Sequence, residues 1–121
     1  MGTDRLYDTN EVDGVMVVTF RQSQILDAMT IERMSSTLKE LISSHEGGRF
    51  VFDFSYVTYM SSSALGMLIG LQRRVAQNDA SLKLTGIQDE IMEVFRITQL
   101  NTVFDIYNNT DAAVEAFRKN L

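Results

Sequence analysis

Arg49-Phe-Val-Phe-Asp-Phe-Ser-Tyr-Val-Thr-Tyr-Met-Ser-Ser-Ser-Ala-Leu-Gly-Met-Leu-Ile-Gly-Leu71 decides the fold. Phe50–Phe54 is apolar at every position but Asp53. A strand apolar on both faces belongs at the centre of a sheet, covered on both sides. After the short connector Val57–Met60, Ser61, Ser62 and Ser63 open a helix whose Leu65, Leu68, Leu71 and Val75 form one stripe. A buried strand that runs through a short loop into an apolar helix is the repeating unit of a parallel α/β sheet.

The flanks extend the same pattern. Upstream, residues 5–12 read as a polar strand, Asp13-Gly14 as a two-residue hairpin turn, and Val15–Phe20 as a strand. Leu26-Asp27 ends an irregular connection. Ile31, Met34, Leu38, Leu41 and Ile42 then recur at helical spacing, and the helix stops before Gly47-Gly48. Downstream, Asn78-Asp79 ends the second helix, and Leu82–Thr85 alternates as a strand. A short helix from about Asp89 carries Ile91, Val94, Phe95 and Thr98. Val103–Tyr107 is a strand, and Thr110 caps a last helix bearing Ala113, Val114, Phe117 and Leu121. The order β-β-α-β-α-β-α-β-α over residues 1–121 describes one α/β domain. Its sheet is mixed but mostly parallel, with an N-terminal β-hairpin at one edge and about four helices. Phe52, Leu65, Leu68, Leu84 and Phe117 are the expected core.

Composition narrows the chemistry. The chain has 121 residues, 45% hydrophobic and 22% charged, as in an ordinary globular domain. A net charge of −5 argues against a nucleic-acid backbone binder and against docking on an anionic membrane. Cysteine is absent and His45 is the only histidine, which removes disulfides, thiolate metal sites and multi-histidine clusters. No metal or cofactor is expected. There is no GxGxxG, no GxxxxGK[ST] and no GxSxG. His45 follows the first helix, where an imidazolium complements the helix dipole. The longest apolar stretch, Ala64–Leu71, is eight residues, too short for the ~20 needed to span a bilayer. The N-terminus lacks the basic and apolar regions of a secretory signal. Met1-Gly2 is not a myristoylation signal, because Leu6 stands where Ser or Thr is needed. The expectation is a cytoplasmic, non-enzymatic protein.

The three serines have a structural reading and a functional one. Serine is a preferred N-cap, worth ~1 kcal/mol, and one of the three suffices. Gly66 and Gly70, four residues apart, fit close packing of a helix on a sheet. A helix start also welcomes an anion through its free N–H groups and partial positive charge. A hydroxyl there can carry a phosphate, which adds about −1.5 to −2 charges at pH 7. If the same helix end is a docking surface, the phosphate blocks docking.

Asp53-Phe54-Ser55-Tyr56-Val57 followed by Ser61-Ser62-Ser63-Ala64-Leu65-Gly66 resembles the signature of STAS domains, the family of bacterial anti-sigma factor antagonists. In that signature a strand with Asp-x-Ser-x-Val precedes Asp-Ser-Ser-Gly-Leu-Gly at a helix start. Leu26-Asp27 with Thr30 matches the family's loop before the first helix. Val103–Tyr107 and Asp111-Ala112-Ala113 match its closing strand and helix, so the resemblance covers nearly the whole chain. Two positions of the signature depart: Ser61 replaces the acidic residue and Ala64 the glycine. A glycine usual shortly before Leu26 is also missing.

The resemblance implies a protein that binds an anti-sigma factor of the serine-kinase type and thereby releases a sigma factor. The kinase ends the interaction by phosphorylating the serine that falls on Ser62, and a phosphatase restores it. The implied docking surface comprises Asp27, Ser55, Met60, Ser61, Ser62, Ser63 and Met67, with Met67 contributing if it faces outward. The missing acid at Ser61 bears on phosphate turnover and kinase preference. The alternative on the same fold is an interaction module without serine chemistry, in a signalling or lipid-transport assembly. An enzyme or small-ligand binder is the third reading.

Overall fold

The computed structural model describes residues 6–119. Met1-Gly2, Arg5 and Leu121 lie outside them. The chain opens on an antiparallel hairpin of β1 (Tyr7–Val12) and β2 (Val15–Phe20). Asp13 and Gly14 both have positive φ, 52° and 80°, the two-residue turn whose twist suits a hairpin. Then follow β3 (Gln24–Ile25), α1 (Ala28–Ser43), β4 (Arg49–Asp53), β5 (Tyr59–Met60), α2 (Ser62–Gln77), β6 (Ser81–Thr85), α3 (Asp89–Ile97), β7 (Asp105–Tyr107) and α4 (Thr110–Lys119).

The main sheet runs β1-β2-β4-β6-β7, parallel from β2 onward. β4 is central, as its composition requires. Its Phe50 and Phe52 point into a core shared with α1, α2 and α3, where Met34, Leu38, Leu68, Leu71 and Phe95 are fully buried. Val51 points the other way, into a smaller core with Val15, Val17, Ala113, Val114 and Phe117 beneath α4. Three helices therefore cover one face and α4 covers the other. This is the α/β architecture expected, with four helices and a mixed, mostly parallel sheet.

Several local expectations are corrected. Leu65 is half-buried, because the buried stripe of α2 is Ala64, Met67, Leu68, Leu71 and Val75. Leu65 lies beside that stripe and packs against the core only from its edge. Val94 of α3 is exposed; the helix buries Ile91 and Phe95. Gly66 and Gly70 do not mediate close packing, since a Cβ at either position meets nothing within 4 Å. Val103 stands outside β7. A left-handed Gln99 (φ 64°) leads into a 3-10 turn at Leu100–Thr102, which buries Phe104 and leaves Val103 exposed. The cap of α4 is Asn109, whose Oδ1 accepts from the Ala112 amide at 2.8 Å, not Thr110. Lys83, the polar position in the alternation of β6, lies on the face that α4 covers. The Lys83 stem is buried, its Nζ 2.5 Å from Asp105 Oδ2 and 4.5 Å from the Phe117 ring centre.

Candidate functional site

The two-residue strands β3 and β5 pair in parallel, Gln24 with Tyr59 and Ile25 with Met60. The Ser23 carbonyl accepts from the Thr58 amide at 2.7 Å and the Thr58 hydroxyl at 3.0 Å. The Ile25 carbonyl accepts from the Ser61 amide at 3.0 Å. Buried Ile25, Val57 and Met60 anchor this patch from below. The chain on one side enters α1 through Asp27, and on the other enters α2 through Ser61. The pairing therefore fixes two helix starts side by side.

Each start is capped by a short polar side chain. Asp27 Oδ2 accepts from the Thr30 amide at 3.0 Å, and Ser61 Oγ from the Ala64 amide at 3.1 Å. The cap duty among the three serines thus falls on Ser61, which occupies the position of the family's acidic residue. Ser62 is the first helical residue, exposed, with its hydroxyl outside the cap. Ser63 is also exposed. It lines an open groove of about 530 Å³ between α1 and α2, with Glu32, Lys39 and Met67. The first turn of α2 carries no carboxylate, so its partial positive charge is uncompensated there.

The remaining site residues divide. Ser55 is exposed, but its hydroxyl is taken by Asp53 Oδ1 at 2.5 Å, which also accepts from the Ser55 amide at 2.9 Å. Asp53 Oδ2 accepts from Thr110 at 3.3 Å, and Thr110 lies 3.2 Å from Thr85. The Asp-x-Ser element thus ties the end of β4 to the start of α4. Gly86 follows β6 with φ 71°, and a Cβ there would come within 2.9 Å of Asp53 Oδ1. Met60 and Met67 are each only 8% exposed. Met67 packs inward, with its edge on the groove between α1 and α2. The structure brings Asp27, Ser61, Ser62 and Ser63 together at the surface, with the two methionines beneath or beside them.

Sequence reasoning missed that apolar side chains are left exposed on the segments that enter α1 and α2 and at the start of α1. Leu26, Met29 and Tyr59 are exposed, Met29 at 74%. Leu26 and Met29 precede the Ile31–Met34–Leu38 stripe of α1, which was the available signal. Tyr59 sits in a connector too short for periodicity.

The STAS domain profile matches residues 7–113, and the chain belongs to that family. A Listeria monocytogenes protein named anti-sigma-B factor antagonist is 31% identical over 83 residues, 69% of this chain and 72% of that protein. The anti-sigma-factor antagonist STAS domain protein of Planctomyces limnophilus superimposes with a TM-score of 0.82. The two are 18% identical, covering 91% of this chain and 96% of the other. Phosphorylated SpoIIAA of Bacillus superimposes with a TM-score of 0.68 at 16% identity, over 95% of this chain and 99% of the other. These likenesses show a shared fold. Among the described residues no helix is long and apolar enough to cross a membrane.

Proposed function

We propose that this chain is an anti-sigma factor antagonist that acts in the cytoplasm through its STAS domain. It binds an anti-sigma factor of the serine-kinase type through the paired starts of α1 and α2. Binding releases a sigma factor. Phosphorylation of Ser62 ends the interaction, and a phosphatase reverses it.

The observation that carries this reading is the division of labour among the serines. Ser61 holds the cap, which leaves Ser62 as an exposed hydroxyl at the first helical position. A phosphate on Ser62 costs no internal hydrogen bond and meets a helix whose own first turn carries no carboxylate. Near it in the chain pairing, Leu26 and Tyr59 are exposed and offer apolar area that a docked partner would cover. A dianion introduced there is desolvated when the partner docks, which opposes binding.

Incubation with the serine-kinase anti-sigma factor of its own organism and ATP tests this. The expected product carries one phosphate, on Ser62, by mass spectrometry. Ser62→Ala abolishes the gain, whereas Ser61→Ala and Ser63→Ala retain it. A phosphate on another residue overturns the assignment to Ser62. No phosphate from a kinase active on another substrate favours an interaction module without serine chemistry.

A further inference from the structure

Resting on that reading, we propose that the anti-sigma factor seats an apolar side chain, flanked by a Lys or Arg, in the groove between α3 and the start of α2. The groove encloses about 360 Å³. Its walls are Tyr59 and Met60 of β5, Leu65 of α2, and Glu90, Ile91 and Val94 of α3. On α3, Glu90, Val94 and Ile97 follow at i, i+4 and i+7 and share one face. Ile91 and Phe95 form the buried face. Val94, Ile97 and Tyr59 are exposed large apolar side chains, Ile97 at 73%. An apolar stripe bordering an apolar groove marks an interaction surface.

Two observations commit the occupant. The first is continuity: Tyr59 and Met60 directly precede Ser61, and Leu65 lies one turn beyond it. A protein docked over Ser62 reaches the groove without a gap. The second is charge. Glu90 is the one charged side chain in the lining, and among the described residues it has no ion pair. The neighbouring Glu93 is taken by Arg96 at 3.2 Å, and the first turn of α3 adds Asp89 but no cation. The complement is an apolar anchor beside a positive charge. A second copy of this chain fits poorly, because a two-fold contact centred on the groove gathers two Glu90 carboxylates and brings no cation from the lining to offset them.

Calorimetric titration with the serine-kinase anti-sigma factor of its own organism decides, using Val94→Glu, Glu90→Gln and Ser62→Asp beside wild type. Circular dichroism melts verify folding; Val94 is exposed and tolerates the change. Val94→Glu is expected to weaken binding by about tenfold or more. Glu90→Gln should weaken it roughly two- to fivefold, the range of an exposed ion pair, and make it less sensitive to salt. Wild-type affinity in Val94→Glu with lost affinity in Ser62→Asp overturns the groove and leaves the Ser62 surface standing. An unchanged Glu90→Gln overturns the basic flank. Wild-type affinity in both Val94→Glu and Ser62→Asp, or no binding by the wild-type chain, overturns both proposals. Dimers in light scattering that Val94→Glu dissolves, with anti-sigma binding intact, assign the groove to a second copy instead.

Discussion

The Ser61 amide donates to the Ile25 carbonyl at 3.0 Å, and this bond joins the cap of α2 to the chain that enters α1. The two helix starts are thereby one rigid surface rather than two loops. Rigid helix starts matter for recognition because little ordering entropy remains to be lost on docking. The same bond explains why Ser61, and not Ser62, is the cap. Its backbone is held extended (φ −75°, ψ 168°) by the β3–β5 pairing, the conformation an N-cap needs.

Removing the Ser61 hydroxyl should therefore cost stability, while its neighbours should not. Ser61→Ala is expected to lose ~0.5–2 kcal/mol in urea unfolding, the range for an N-cap serine. Ser62→Ala and Ser63→Ala, both exposed and outside the cap, should stay within about 0.5 kcal/mol of wild type. A larger loss at Ser62 would assign the cap to the wrong serine.

Leu68 sits at 0% exposure between α2 and the sheet. Leu68→Ala should cost ~2–5 kcal/mol by the same measurement, with the spread set by how far the site collapses. That is a large fraction of a typical domain's stability. Leu65→Ala, half-buried, should cost less.

What was legible in the sequence follows from the length of its patterns. Phe50–Phe54 reads as a central strand because apolar residues occupy both of its faces, and both are buried. The stripes of α1 and α2 are long enough to give each helix its face, apart from Leu41 and Leu65, which are half-buried beside the buried stripes. β3 and β5 have two residues each, too few for any period to show. Their pairing is a tertiary fact, and with it the juxtaposition of Asp27 and Ser61. The burial of Lys83 is likewise a tertiary fact. Alternation in β6 is real, but α4 covers the face that alternation assigns to solvent. The resemblance placed the serines in one motif; it did not say which of them caps, because that depends on the register of Ser61 with Ile25.

Two glycines should respond with opposite signs to the same substitution. Gly66 lies in the first half of α2, where an added Cβ meets nothing within 4 Å. Gly66→Ala should stabilise by roughly 0.5–1 kcal/mol through helix propensity. Gly86 has φ 71°, and its Cβ would press on Asp53 Oδ1 at 2.9 Å and the Ser55 amide nitrogen at 3.0 Å. Gly86→Ala should destabilise by about 1–3 kcal/mol, since both backbone and space oppose it. Thermal melts of the two variants, read against wild type, give the signs directly.

The switch itself is tested by charge at Ser62 without a kinase. Ser62→Asp places a carboxylate on the surface proposed to dock, where an unpaired charge typically costs ~2–5 kcal/mol on burial. At ~1.4 kcal/mol per decade, affinity for the anti-sigma factor should fall by roughly 30- to 4,000-fold. Ser62→Ala removes only an exposed hydroxyl that serves no cap, so its affinity should match wild type. Neither change touches the core, and both variants should melt within a few degrees of wild type. The comparison between Asp and Ala separates charge from the mere loss of serine. Titration calorimetry of both with the same anti-sigma preparation gives the answer. Equal affinity would put the interface away from the start of α2, and Ser62 would then not be the switch even where it carries a phosphate.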